Sequence, residues 1–251
     1  MSRDSSALTR SLPAAHHRTM TILPGLTSTK KESIPAFLED LRRLRVATIA
    51  LFPTCLTADE RAGLYRELET VPGLRLPHVH LRSDCDEAET DYLTDRFGTE
   101  AFNIHPRAST HPFGPIPPSH APRFFVENVD LPPDYDEVAG TDGAMPALGG
   151  ICPDFSHLEN ARLHGRTAYV RTMDDLFGRC AIGCCHLSAI RVGDPNEWSG
   201  EWDHHDFVSL SDFDYLARYS ARLPAKWASL ELENPLPEQL EAVSYLGRLL
   251  A

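Results

Sequence analysis

The chain has 251 residues, enough to bury a full core, and a length near this fits a single α/β barrel as readily as two smaller domains. Its 24 Lys and Arg against 36 Asp and Glu leave a formal net charge of −12, and no basic stripe interrupts that acidic field, so nucleic acid is disfavoured as a partner. No apolar run approaches the roughly 20 residues that cross a bilayer, which excludes a helical membrane protein.

In chain order, the first nineteen residues, "MSRDSSALTRSLPAAHHRT", are polar and aperiodic and read as a disordered lead or a misplaced start outside the fold. From Met20 onward, eight apolar runs rich in β-formers follow: "MTILPGL" at 20, "VATIALF" at 46, "LPHVHL" at 76, "AFNIHP" at 101, "RFFVEN" at 123, "LGGICPD" at 148, "CAIGCCHLS" at 180 and "WASLELEN" at 227. Helical periods fit 32–45, 57–70, 86–97, 157–164, 212–222 and 236–250. The densest basic stretch, "KKESIPAFLEDLRRLR" at 30, belongs to the first of these. Ile34, Phe37, Leu38, Leu41 and Leu44 recur there at helical spacing, so the charges form a solvated face. The last helix has the same character and closes the fold.

Strands alternating with helices imply parallel pairing, and eight repeats in this length predict a single-domain (β/α)8 TIM barrel over residues 20–251. The fourth and fifth crossovers are shortened. Residues 105–123 carry six prolines and hold no regular helix, and "LPPDYDEVAGTDGAMPA" at 131 leaves room for one turn. A doubly wound open sheet is the competitor, but no strand is followed by a glycine-rich phosphate loop. The six cysteines, Cys55, Cys85, Cys152, Cys180, Cys184 and Cys185, form no C-x-x-C pair and no signal peptide precedes them, which predicts free thiols in a cytoplasmic protein. Those beside the strand ends read as small buried apolar groups.

A barrel delivers the carboxyl end of every strand to one face, where distant residues converge. The strand ends here carry His78 and His80, His105, Glu127, Asp154 with His157, His186, and Glu231 with Glu233. The segment "EWDHHDF" adds Asp203, His204 and His205. Acids and imidazoles at the ends of apolar runs are costly to desolvate without a partner, and a shared divalent cation is the simplest compensation. A hydrogen-bonded network without metal is the alternative.

The fragments "FFVEN", "CPDFSH", "CCHLS", "DHHDF" and "WASLELENP", in this order, resemble the metal-binding strand ends of the xylose isomerase-like barrels, a superfamily of sugar isomerases, epimerases and endonuclease IV relatives. The resemblance implies that Glu127, Asp154, His186 and Glu231 hold a divalent metal (Zn, Mn, Co or Mg), with no organic cofactor. It implies that Glu127 and Glu231 exchange a proton with a small polyhydroxylated carbonyl substrate, and that His157 and Arg191 hold substrate oxygens. "ASLE" matches the family's last strand and favours Glu231 over Glu233. An endonuclease IV-like multi-zinc phosphoesterase would recruit His78, His80, His105, His157, Asp203 and His205 as additional metal or substrate ligands. The acidic charge disfavours that reading, and "SLS" at 209 replaces a glycine-rich turn of the relatives. A third expectation is a non-catalytic barrel that only binds. A homo-oligomer is left open.

Overall fold

The structure is a computed structural model that describes residues 20–251 except 112–113, 142, 144–145, 198 and 225. The lead expected at 1–19 lies outside the described residues. The chain is a mixed α/β protein built on parallel strands. Six of them, β2 (Gly25–Thr27), β3 (Thr48–Phe52), β4 (Arg75–His80), β5 (Ala101–Ile104), β6 (Phe124–Glu127) and β7 (Gly150–Cys152), pair in that order. A second parallel sheet has the order β1 (Thr21–Leu23), β11 (Trp227–Leu230) and β8 (Cys184–Leu187). Isolated parallel bridges join Ile151 to Ile182 and Asp154 to His186, between the edges of the two sheets. A short antiparallel pair, β9 (Ala189–Ile190) with β10 (Asp203–His204), follows β8 and was not expected.

The apolar runs at 20, 180 and 227 are shorter as strands than their sequence extent. Pro24, which has no N–H to give a ladder, separates β1 from β2. β8 starts only at Cys184, and Gly183 before it stands where a Cβ would lie 2.1 Å from the Phe125 ring. β11 ends at Leu230, which puts Glu231 in the first position beyond the ladder.

Helices α1 (Ile34–Leu44), α2 (Ala58–Glu69), α3 (Glu87–Phe97), α5 (Phe155–Leu163) and α7 (Leu236–Leu249) match the expected periods closely. Residues Leu210–Arg222 wind as a 3₁₀ helix. Local chemistry sets the boundaries. Thr57 and Glu60 form a reciprocal capping box on α2, Asp86 caps α3, and α3 stops at Gly98 in the left-handed region, φ 67°. The short α4 (Tyr135–Ala139) is the single turn expected there, and the 105–123 stretch holds one 3₁₀ turn, Ala121–Arg123, among its described residues. One helix was missed: α6 (Thr167–Arg179) buries Tyr169, Met173 and Leu176 at spacings of four and three, a helical signal of ordinary strength. None of the described helices is long and apolar enough to cross a membrane.

Two apolar clusters separate the layers. The larger packs the helices onto the strands, with Phe37, Leu41, Leu68, Phe97, Phe155, Met173 and Leu246 among its buried members. The smaller joins Leu23, Ala50, Phe52, Ala101, Phe125, Cys152, Cys184 and Trp227, drawn from both sheets. All six cysteines are free thiols, and Cys152, Cys184 and Cys185 are fully buried as expected.

The junction at Pro24 and Gly25 is tied down by α7. Gln239, fully buried, accepts from Gly25 N at 2.8 Å and donates to Gly25 O, Leu232 O and Asn234 O. A Cβ on Gly25 would lie 1.9 Å from the carbonyl oxygen of Leu230, a backbone atom that cannot swing aside. Gly25→Ala is therefore expected to cost about 3 kcal/mol of stability or prevent folding. Urea denaturation measures it, and an unchanged midpoint would contradict the close approach.

Candidate metal centre

Glu127 is the last residue of β6, Asp154 follows β7, His186 lies within β8 and Glu231 follows β11. One ligand atom from each lies within 4.8 Å of the others, and all four residues are buried. His186 Nδ1 stands 3.3 Å from Glu127 Oε1, 3.1 Å from Glu231 Oε2 and 3.8 Å from Asp154 Oδ2. Among the described residues, neither ring nitrogen of His186 finds a hydrogen-bond partner, and Asp154 Oδ2 has none either. Unpaired buried polar atoms are expensive, and a cation among them would satisfy several at once.

The Asp154 carboxylate divides its work. Its Oδ1 caps α5, accepting from Ser156 N at 2.7 Å, Ser156 Oγ at 2.6 Å and His157 N at 3.0 Å, while Oδ2 points to the cluster. Asn128 clamps the Asp154 backbone from both sides, through its Oδ1 at 2.9 Å and its Nδ2 at 3.0 Å. The carboxylate at the strand end is thus both a helix start and a candidate ligand.

The site carries excess negative charge. Burial disfavours an ionised Glu127, but the imidazoles of His186 and His80 outweigh it and hold the carboxyl well below its ordinary value. Glu231 is brought down to about 2, because His205 and His186 overcome the same burial cost. Asp154 goes the other way, pushed up by burial. His186 is raised well above 6.5, since Glu127 and Glu231 outweigh its own desolvation. A centre that draws a proton this strongly onto an imidazole is one with an electrostatic demand for positive charge. Three carboxylates and one imidazole suit a divalent ion of the Mg, Mn, Fe, Co or Zn type.

The other anticipated residues are distributed unevenly. His80 Nε2 lies 3.7 Å from Glu127 Oε2, and His80 belongs to two further groups with ligand atoms within 4.8 Å, one with His186 and Glu231, the other with His105 and Glu127. His157 stands beside Asp154 and Asp203, at 4.0 and 3.3 Å, because the β9–β10 pair folds Asp203 over α5. His205 reaches the centre through its charge and belongs to none of the potential ligand groups. Glu233 faces outward to Lys30 at 2.6 Å, which leaves Glu231 as the carboxylate in the cluster.

Two of the anticipated residues are already engaged in other contacts. Arg191 is engaged by Asp194 at 2.8 Å, by the Asp206 carbonyl at 3.1 Å and by His204 Nδ1 at 2.5 Å, so its guanidinium is bound up in its own loop. His78 lies deeper than the cluster, with Ser229 Oγ on Nδ1 at 2.7 Å and Asn103 Oδ1 on Nε2 at 3.0 Å. Its ligand atom is within 4.8 Å of those of Cys152 and Cys184, but both ring nitrogens are already occupied. Sequence reasoning passed over Asn103 and Asn128. The signal for Asn103 was a lone amide inside the apolar run "AFNI".

No protein-family model matches the chain, and no curated protein matches its sequence.

His157 supplies a pH test. Burial would lower its pKa, but Asp154 and Asp203 outweigh that and raise it from 6.5 to about 10. A raised imidazole contributes stability that is fully present below pH 6.5 and is lost as pH climbs toward 10. In metal-free protein, the Tm difference between wild type and His157→Gln is expected to be largest near pH 6 and to shrink by pH 10. A difference independent of pH would refute the assignment.

Proposed function

We propose that the two parallel sheets close into one eight-stranded cylinder of xylose isomerase-like type, and that Glu127, Asp154, His186 and Glu231 form its divalent-metal centre. Support for closure is that each strand then has two neighbours. β1 and β2 are halves of one strand about Pro24, pairing with β11 and β3 respectively, and the bridges at 151–182 and 154–186 link β7 to β8. The reading is carried by one observation: four side chains from four strand ends bring ligand atoms within 4.8 Å of one another, with Asp154 Oδ2 and His186 Nδ1 lacking a hydrogen bond among the described residues.

The activity that fits is isomerisation or epimerisation of a small sugar or related polyhydroxy carbonyl compound by proton transfer. A divalent ion in the centre would polarise a carbonyl and its neighbouring hydroxyl, making the intervening C–H acidic. Glu127 and Glu231 both reach the centre, at 3.3 and 3.1 Å from His186 Nδ1, so one carboxylate can take the carbon-bound proton while the other returns one. His157, held by Asp203, presents a protonated imidazole to a substrate oxygen. The acidic surface suits an uncharged substrate better than a polyphosphate or a nucleic acid.

The overlapping His80, His105 and Glu127 group supports a second reading, a multinuclear phosphoesterase, since it offers another ion a place that shares Glu127. Elemental analysis of purified protein separates the two. One exchangeable Mn or Co per chain is expected for the isomerase, two or three Zn for the phosphoesterase, and no retained or added ion would overturn both and leave a binding protein. With aldose and ketose substrates, Glu127→Gln and Glu231→Gln are each expected to lower turnover at least about 100-fold with Tm preserved. Wild-type turnover in either variant would remove that residue from the acid–base role.

A further inference from the structure

Beneath the centre runs a file of polar side chains that a barrel interior built for stability alone would replace with aliphatic ones. Asn103 Nδ2 donates to Glu127 Oε2 at 2.6 Å. Asn103 Oδ1 meets His78 Nε2 at 3.0 Å, and His78 Nδ1 meets Ser229 Oγ at 2.7 Å. Ser229, His78 and Asn103 are wholly inaccessible and Glu127 nearly so. Asn103 sits in β5, between the β4 strand that carries His78 and the β6 strand that carries Glu127. Ser229 comes from β11, so the His78–Ser229 bond also ties the six-stranded sheet to the three-stranded one.

The direction of every hydrogen bond in the file follows from its upper end. A carboxylate only accepts, so the Asn103 atom 2.6 Å from Glu127 Oε2 must be the amide nitrogen; the flipped amide would press oxygen against oxygen in a buried site. The amide oxygen therefore faces His78 and requires a proton on Nε2. In the neutral ring, Nδ1 is then the bare nitrogen, which obliges the Ser229 hydroxyl to donate. We propose that Ser229, His78 and Asn103 are positioning residues, a hydrogen-bond relay whose donors all point toward Glu127 and which pins Oε2 so that Oε1 is presented beside His186. This rests on the reading of Glu127 as a metal ligand only for its effect on the centre; the relay's direction stands independently of any ion. A fully satisfied buried network orients the group at its end, and partners of metal ligands typically alter metal affinity by 10-fold to 100-fold.

Nitrogen-15 spectra of the histidine rings in metal-free protein at neutral pH test the direction, with the His78 signals identified by their loss in His78→Gln. Nε2 protonated and Nδ1 bare is the expected result, and a protonated Nδ1 overturns the relay. Removing the acceptor in Glu127→Leu is expected to release the amide and give both His78 tautomers; an unchanged single tautomer would show that Glu127 does not set the direction. Positioning is read with Co²⁺. Asn103→Ala should weaken Co²⁺ binding about tenfold and alter its visible absorption bands. Wild-type affinity and bands in that variant overturn the positioning role. Should Asn103→Ala fail to fold, Ser229→Ala, which leaves every contact of Glu127 in place, is expected to move the bands in the same direction, and unchanged bands count against the relay. If wild type binds no Co²⁺, the metal centre is wrong, and the ring spectra alone decide the relay.

Discussion

Three carboxylates and one imidazole crowd into a space only a few ångströms across, shut off from water. Like charges at such separations repel strongly in a poorly polarisable interior, and each carboxylate also loses its hydration. The protein meets part of this cost with its own histidines: His186 between Glu127 and Glu231, His80 beside Glu127, and His205 within range of Glu231. What the histidines leave over is a demand for positive charge, and Asp154 Oδ2, buried without a hydrogen bond among the described residues, shows where it is felt.

Such a centre holds its shape only if each member is braced from behind. Asp154 is locked by its duty as the cap of α5 and by the two-sided grip of Asn128, which itself bonds to the Tyr169 hydroxyl on α6. Glu127 is braced by Asn103 from the neighbouring strand. Glu231 follows a strand whose end is anchored where Gln239 of α7 binds Leu232 and Asn234. Helices that bury the outer faces of the strands thus also set the angles of the charged groups at their tips. The same side chain often does both, which ties the stability of the fold to the geometry of the centre.

Part of this was legible in the chain. The apolar runs marked a set of strand-end acids and histidines, because a group that is costly to bury stands out there, and the resemblance to the xylose isomerase-like barrels chose Glu127, Asp154, His186 and Glu231 from that set. The resemblance favoured Glu231 over Glu233 through "ASLE"; in the structure Glu231 lies in the cluster and Glu233 pairs with Lys30. Other positions were set by packing that the sequence does not display. Asp194 and Asp206 hold the Arg191 guanidinium in the loop beside the β9–β10 pair. His78 and His80 differ by two positions and so point to the same side of β4, yet one level of the pleat separates a hydrogen-bonded interior ring from one at the centre. The α6 period was present and was simply passed over between a glycine and a cysteine-rich strand.

The sequence by itself determined which segments become parallel strands and helices, where chain-breaking prolines shorten the connections, and which charged residues stand at strand ends. Those are properties of neighbours along the chain: period, turn chemistry, and the cost of burying a polar atom. Tertiary structure alone decided which strand ends meet, that Asn103 rather than a charged residue supports Glu127, and that Asp203 pairs with His157. Such choices depend on strand register and loop packing across 100 residues or more of chain, as between Glu127 and Glu231, where distance in space no longer follows distance in sequence.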